Sequence, residues 1–196
     1  MKLSPPKTVA VILAAGSGSR FKGGGHKLNA IFGGQPLYIR VLRTAIEANI
    51  GSVIVVTGAV ELQIGELAVR IVHNPLWQTG LASSLQAGIA VAGEQGAEAV
   101  VVGLGDQPLV PASAWRAVAN SPSPIAVATY QAKRGNPVRL HAEIWSALPT
   151  VGDDGARSVF QMYNNLVEEV PCEGSSRDID TLEDLERINN EVGENY

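Results

Sequence analysis

The sequence predicts an α/β domain of three layers, a mostly parallel sheet with helices on both faces. Three observations carry this. Apolar, β-branched runs alternate with helix-like patterns along the 196 residues, the order that joins parallel strands through crossover helices. Val53-Ile54-Val55-Val56 and Val100-Val101-Val102 are unbroken, as central strands covered on both faces require. Neither an internal repeat nor a low-complexity linker divides the chain, so residues 1–196 are expected to form one domain with a core of about 8–190, long enough to bury a large apolar interior.

In chain order, the first strand is Thr8–Ala14, an apolar run that breaks into small residues. A helix over Leu37–Asn49 leads to the unbroken strand Ser52–Thr57. A short helix at Glu61–Leu67 precedes a strand at Val69–His73. Helix Leu81–Ala92, strand Ala99–Leu104 and helix Pro111–Ala119 repeat the alternation. After Ser121, Pro122 and Pro124 interrupt the pattern and leave a reversal of strand direction open. Strands there are expected at Ile125–Thr129, Pro137–Leu140 and Leu166–Pro171, with helices at Ala142–Ala147 and Ala156–Tyr163. The last helix, Leu182–Asn190, follows Thr181 with Asp184 three residues on, close to a capping box.

Composition narrows the function classes. A net charge of −4 without a basic stripe disfavours a nucleic-acid surface. Cys172 is the only cysteine, which excludes an intrachain disulfide and a Cys-rich zinc site. No apolar stretch reaches membrane-span length, and Met1–Lys7 lacks the apolar core of a secretion signal, so no membrane partner and a cytoplasmic location are expected.

The chemistry begins where the first strand ends. Gly16-Ser17-Gly18-Ser19-Arg20 turns without bulky side chains, so backbone N–H groups are free to face a phosphate. Arg20, and Lys27 beyond Gly23-Gly24-Gly25, add charge-assisted contacts. The segment is not a dinucleotide fingerprint, because Phe21 stands where a glycine is required. It is not a P-loop either, because His26 follows Gly25. A nucleotide or other polyphosphate is the expected ligand; the plain alternative is a glycine-softened strand-to-helix turn.

Ligands of open α/β sheets sit beyond the carboxyl ends of the strands, and the other informative segments fall there. They are Asn74–Gly80, Gly105-Asp106-Gln107-Pro108, Lys133–Pro137 and Asp178-Ile179-Asp180-Thr181. Asp106, paired with Asp180 or Asp178, suits a hard divalent cation that takes its other oxygens from phosphate and water. Against this, Asp106 could simply form the turn before Pro108, and Asp180 could help start the last helix.

Four segments resemble the MobA-like nucleotidyltransferase family, and within it the molybdenum cofactor cytidylyltransferase branch. They are Leu13-Ala14-Ala15-Gly16-x-x-Ser19-Arg20, Asn74-Pro75-x-Trp77-x-x-Gly80-Leu81-x-x-Ser84-Leu85, Gly105-Asp106-Gln107-Pro108 and Asp178-Ile179-Asp180-Thr181-x-Glu183-Asp184-Leu185. They occur in family order from Val9 to about Ile188. The resemblance implies a three-layer α/β/α, Rossmann-like nucleotidyltransferase fold and Mg²⁺-dependent transfer of a nucleoside monophosphate. CTP is the implied donor, a molybdopterin phosphate the acceptor and pyrophosphate the by-product, with a molybdoenzyme as transient client. It makes Arg20, Lys27 and Asp106 the catalytic group and Asp106 and Asp180 the metal ligands. Leu13, Ala14, Ala15, Gly16, Ser19, Asn74, Gly80 and Ser84 fall around the nucleotide, and the start of the helix at Gly80 offers free amides to an anion. Gly152-Asp153-x-Gly155-Ala156-Arg157 resembles an acceptor-side loop of the family.

Two departures stand out. The family spacing Arg-x-Gly-x-x-Lys is lengthened here, which leaves both Lys22 and Lys27 as candidates for the phosphates, and Leu182 replaces a proline. The acceptor would already be an anion, so no general base is needed, and His26, His73 and His141 receive no catalytic role. Trp77 is expected to pack its loop, Trp115 and Trp145 to be core, and Cys172 not to act as a nucleophile. The alternatives are a transferase acting on a sugar phosphate or other small phosphate, an NAD(P)H-dependent reductase on the same fold, and a non-catalytic cofactor carrier.

Overall fold

A computed structural model describes residues 7–22 and 24–193. Met1–Pro6, part of the N-terminal segment read above, and Gly23 of the glycine run lie outside the described residues. The elements are β1 (Thr8–Ala14), β2 (Ile31–Phe32), β3 (Gln35–Pro36), α1 (Leu37–Ala48), β4 (Ser52–Thr57), β5 (Val69–His73), α2 (Leu81–Glu94), β6 (Ala99–Leu104), α3 (Ala112–Ala119), β7 (Ile125–Tyr130), β8 (Lys133–His141), α4 (Arg157–Met162), β9 (Val167–Pro171) and α5 (Leu182–Gly193).

Seven strands form one sheet in the order β5-β4-β1-β6-β8-β7-β9. β1 pairs in parallel with β4 and β6, β4 with β5, and β7 with β9. β8 is antiparallel to both its neighbours and alone runs against the rest.

Alternation along the strands builds two cores. Ala10, Ile12, Val53 and Val55 face α1 and α3, meeting Val41, Leu42, Ala45, Trp115 and Val118. Val9, Val11, Ile54 and Val56 face the other way onto Leu85 and Ile89 of α2, as a two-residue side-chain period demands. Glycines set the closest approaches. A Cβ on Gly88 would lie 2.6 Å from Val11 Cγ1, and one on Gly103 would lie 2.6 Å from the Trp115 ring. Trp115 is 1% exposed, the core residue expected. Trp145 is partly buried against the α2-side core and donates its indole N–H to Leu140 O.

A third cluster matters most for the site. Phe21, Phe32, Leu37, Ile179, Leu185 and Ile188 pack together, anchoring α5 beside the segment that carries Arg20. Its start is a reciprocal cap, in which Asp184 N–H donates to Thr181 Oγ1 and Thr181 N–H donates to Asp184 Oδ2, each at 3.1 Å. The shorter Asp thus fills the box expected at this helix.

The structure corrects several sequence-based boundaries. Glu61–Leu67 is not helical; Gly65 at φ +58° breaks the run, and Leu62 is buried while Ile64 and Leu67 pack against the α1-side core. Burial thus outweighs weak propensity in so short a stretch. Ala142–Ala147 is a 3₁₀ helix and α4 spans only Arg157–Met162. The strand expected at Pro137–Leu140 begins at Lys133, because Gln131 and Ala132 at φ +51° and +63° close a hairpin from β7. Two consecutive positive φ values are the geometry of a tight hairpin turn, but Gln-Ala carries none of its usual Asn or Gly signature.

Candidate active site

The turn after β1 is held open by its neighbours. Phe21 N–H donates to Gly18 O at 2.9 Å, Gly105 N–H to Leu13 O at 2.9 Å, and Ala59 N–H to Ala15 O at 3.0 Å. Gly18 sits at φ +62°, and a Cβ there would lie 3.0 Å from Lys27 Cγ. His26 pins the loop from beyond the glycine run. Its Nε2–H donates to Gly16 O at 2.8 Å while Nδ1 accepts from Leu28 N–H at 3.3 Å, the neutral imidazole with one donor and one acceptor. This residue, given no role from sequence, shapes the turn through these two bonds.

Lys27 is the centre of the site. Its Nζ donates to Asp106 Oδ2 at 2.5 Å and to Asp180 Oδ1 at 2.9 Å. Arg20 Nη1 holds Asp180 Oδ2 at 2.9 Å. The two lysine contacts are largely shielded, with the Lys27 side chain 13% exposed, whereas that of Arg20 is 74% exposed. An exposed pair is worth only about 0–1 kcal/mol, so Lys27, not Arg20, dominates the electrostatics. Burial by itself lowers the Lys27 pKa, but the charge and hydrogen bond of Asp106, joined by those of Asp180, outweigh it and hold the ammonium above the usual lysine range. Asp106 Oδ1 is buried without a hydrogen-bond partner.

Backbone geometry brings the two carboxylates together. Ile179 N–H donates to Asp106 O at 3.0 Å, and the Ile179 side chain, fully buried, anchors the segment. Asp178 turns elsewhere, accepting from Gln107 Nε2 at 2.6 Å. Gln107 is fixed in turn by donation to Ser176 O at 2.8 Å and by Asn136 Nδ2, which donates to its Oε1 at 3.1 Å. Both had been visible only as members of short motifs.

A cavity of about 370 Å³ lies over these groups, lined by Leu13 through Arg20, by Lys27, Asp106 and Asp180, and by Gly80, Leu81 and Ser84 across from them. Leu13, Ala14, Ala15, Gly16, Ser19, Gly80 and Ser84 thus share its wall with Arg20, Lys27, Asp106 and Asp180. Lys22 is not among the lining residues, and neither is Asn74. Asn74 is a buried strut whose Nδ2 donates to Ser83 Oγ at 2.9 Å and Ser84 Oγ at 3.0 Å while its Oδ1 accepts from Leu76 N–H. It fixes the start of α2 from below. Trp77 both packs and lines the cavity; a Cβ on Gly58 would lie 2.6 Å from its ring.

Two of the amides expected to be free at the start of α2 are taken. Leu81 N–H donates to Asp153 Oδ1 at 3.2 Å and Ala82 N–H to Gly152 O at 2.9 Å. Gly80, at φ +110°, lets the 152–153 loop sit that close; a Cβ there would lie 2.4 Å from Gly152 O.

A second cavity, of about 380 Å³, shares Leu13, Leu81, Leu104 and Asp153 with the first. Its floor is apolar, from Leu85, Val102, Val127 and Phe160, and Arg134, Asn136 and Arg157 also line it. Arg134 pairs with Glu169 at 2.7 Å. Among the described residues, Arg157 makes no ion pair.

The residues present fit a divalent cation. Two carboxylates converge on one point, one buried oxygen lacks a donor, and a hard cation of the Mg²⁺ type needs only one or two protein carboxylates when phosphates supply the rest. Among the described residues there is no group of three or more His, Cys, Asp or Glu side chains placed to hold a metal alone. No helix among them is long and apolar enough to cross a membrane.

Comparison with known proteins agrees with the geometry. Residues 10–169 match the family model described as the MobA-like NTP transferase domain. No match to a curated protein was found. Among solved structures, a nucleotidyl transferase from Methanothermobacter thermautotroptrophicus is 23% identical, with a TM-score of 0.81 over 97% of this chain and 99% of that one. A homologue from Mycobacterium sp. strain JC1 of a Mycobacterium tuberculosis protein is 25% identical, with a TM-score of 0.77 over 96% and 98%. The Mycobacterium tuberculosis protein itself, in complex with manganese, is 20% identical, with a TM-score of 0.73 over 94% and 98%. These likenesses establish the Rossmann-like nucleotidyltransferase fold.

Proposed function

Because the chain belongs to the MobA-like NTP transferase family, we propose that it transfers CMP from CTP to the phosphate of a molybdopterin and releases pyrophosphate. Nucleotidyltransferase chemistry follows from the family. The donor and acceptor are our reading from the resemblance to the molybdenum cofactor cytidylyltransferase branch; the observation that carries the transfer itself is the convergence of Lys27, Asp106 and Asp180 beneath the glycine turn.

The triphosphate would lie along Gly16–Arg20, where backbone N–H groups and the Arg20 and Lys27 side chains meet its oxygens. Asp106 and Asp180 would hold Mg²⁺; a structural neighbour solved in complex with manganese supports the use of a divalent ion. When bound, the ion supplies Lewis-acid polarisation of the phosphate under attack. Lys27 and Arg20 neutralise charge as pyrophosphate departs, within a recess where each contact is stronger than in water. The acceptor phosphate is already an anion, so no side chain has to remove a proton. Catalysis is then positioning and charge neutralisation.

The second cavity suits the acceptor. Its apolar floor fits a flat ring system, and Arg157, one of its lining residues, suits an anionic group. Ala15, one of the residues lining the first cavity, supports the smaller pyrimidine base. A molybdoenzyme that takes up the product completes the proposal.

The test is pyrophosphate release with CTP, GTP, ATP and UTP in turn, each with molybdopterin, with sugar 1-phosphates and with no acceptor. Release restricted to CTP with molybdopterin is expected. Preference for a sugar phosphate would move the acceptor assignment, and nucleotide binding without turnover would make the protein a carrier.

A further inference from the structure

We propose that Lys27 gates the divalent cation: its ammonium keeps Asp106 and Asp180 together and shut to a free metal ion until a triphosphate draws it away. The inference rests on the nucleotidyltransferase reading above and adds an order of assembly to it.

The carboxylate oxygens show why. Asp106 Oδ2 and Asp180 Oδ1 are both held by Lys27 Nζ, and Asp180 Oδ2 is held by Arg20. Only Asp106 Oδ1 has no donor, and it is buried. A divalent ion seeking both carboxylates therefore meets a positive charge already between them, and repulsion within a few ångströms opposes its entry. Removing Lys27 with nothing in its place is equally unfavourable, because two shielded carboxylates would then face each other. A triphosphate resolves both problems. It offers Lys27 and Arg20 new anionic acceptors and brings the oxygens that complete the metal's shell.

The local structure allows the exchange. Lysine carries its charge on a flexible four-carbon stem, and Gly18 faces that stem at Cγ with no side chain of its own. The exposed Arg20–Asp180 pair is weak enough to open with it. Metal and nucleotide then promote each other's binding by the same factor, as linkage requires.

The test uses the full chain and Mn²⁺, followed by loss of the free-ion electron paramagnetic resonance signal. Without nucleotide, Lys27→Met is expected to bind Mn²⁺ about tenfold or more tighter than the wild type, within the span of typical site couplings. Lys22→Met, which removes the same charge from the same loop, is expected to leave Mn²⁺ affinity unchanged. A non-hydrolysable CTP analogue should raise Mn²⁺ affinity strongly in the wild type and far less in Lys27→Met. Equal Mn²⁺ affinity in wild type and Lys27→Met, with nucleotide-supported binding intact, overturns the gate and leaves the transferase reading standing. Wild-type protein that binds no Mn²⁺ with any nucleotide analogue overturns both. Should Lys27→Met not fold, wild-type titrations decide alone: Mn²⁺ affinity indifferent to the nucleotide analogue overturns the gate.

Discussion

Ile179 donates its backbone N–H to the carbonyl of Asp106 across 3.0 Å. This one bond ties the end of β6 to the segment before α5 and brings two carboxylates, 74 positions apart in the sequence, onto the same ammonium. Ile179→Ala removes a fully buried side chain from the cluster that holds this segment. A cost of about 2–5 kcal/mol is expected, read by urea denaturation, together with a higher metal requirement for turnover. Unchanged stability would show that Phe21 and Leu185 hold the segment without it.

Asp106→Ala should lower metal-dependent turnover by about 10²-fold or more, the scale of losing one well-placed electrostatic group, with circular dichroism unchanged. Retained activity in a folded variant would take Asp106 out of the mechanism.

The raised pKa of Lys27 fixes the sign of an alkaline effect. Its pKa in the folded protein lies above the unfolded value near 10.5. The stabilisation is therefore fully present below 10.5 and is lost only as pH climbs through the folded value. The difference in melting temperature between wild type and Lys27→Met should stay flat from pH 7 to about 10 and shrink above that. A difference that shrinks near neutrality would contradict the ion cluster.

Gly80→Ala should be destabilising by more than about 1 kcal/mol, because the new methyl would meet Gly152 O at a φ that L-residues rarely adopt. Chemical denaturation measures it. The cavity wall should suffer too, through release of the 152–153 loop from α2.

His26→Leu removes the donor that fixes Gly16 O and the acceptor for Leu28 N–H. Losing a net contact of about 1 kcal/mol should raise KM for the nucleotide roughly fivefold with kcat nearly unchanged. A fall in kcat at constant KM would instead assign His26 to the chemistry.

The β1–β4–β6 centre was legible because its residues are apolar in unbroken runs, and such runs fit little else. The Thr181–Asp184 cap and the clustering of Gly16, Asp106 and Asp180 at one rim followed from residue type and strand direction. Pro122 and Pro124 left a reversal open in this stretch, but its place at β8 was not legible, since Gln131 and Ala132 adopt a turn that their side chains do not advertise. Glu61–Leu67 misled because its apolar spacing serves burial in an irregular segment. The α2 terminus misled for another reason: Asp153, 72 positions away from Leu81, occupies an amide that local sequence leaves free. Contacts of that range depend on the finished fold.

A strand reached by a hairpin brings no crossover helix with it. β8 enters that way, and between α2 and the brief α4 lies the apolar chamber lined by Leu85, Val102, Val127, Val138 and Phe160. Val127 and Val138 line this chamber and not the cavity that holds the lysine and the two aspartates. In the proposed transfer, the acceptor would meet this chamber while the triphosphate would meet the lysine and the two aspartates.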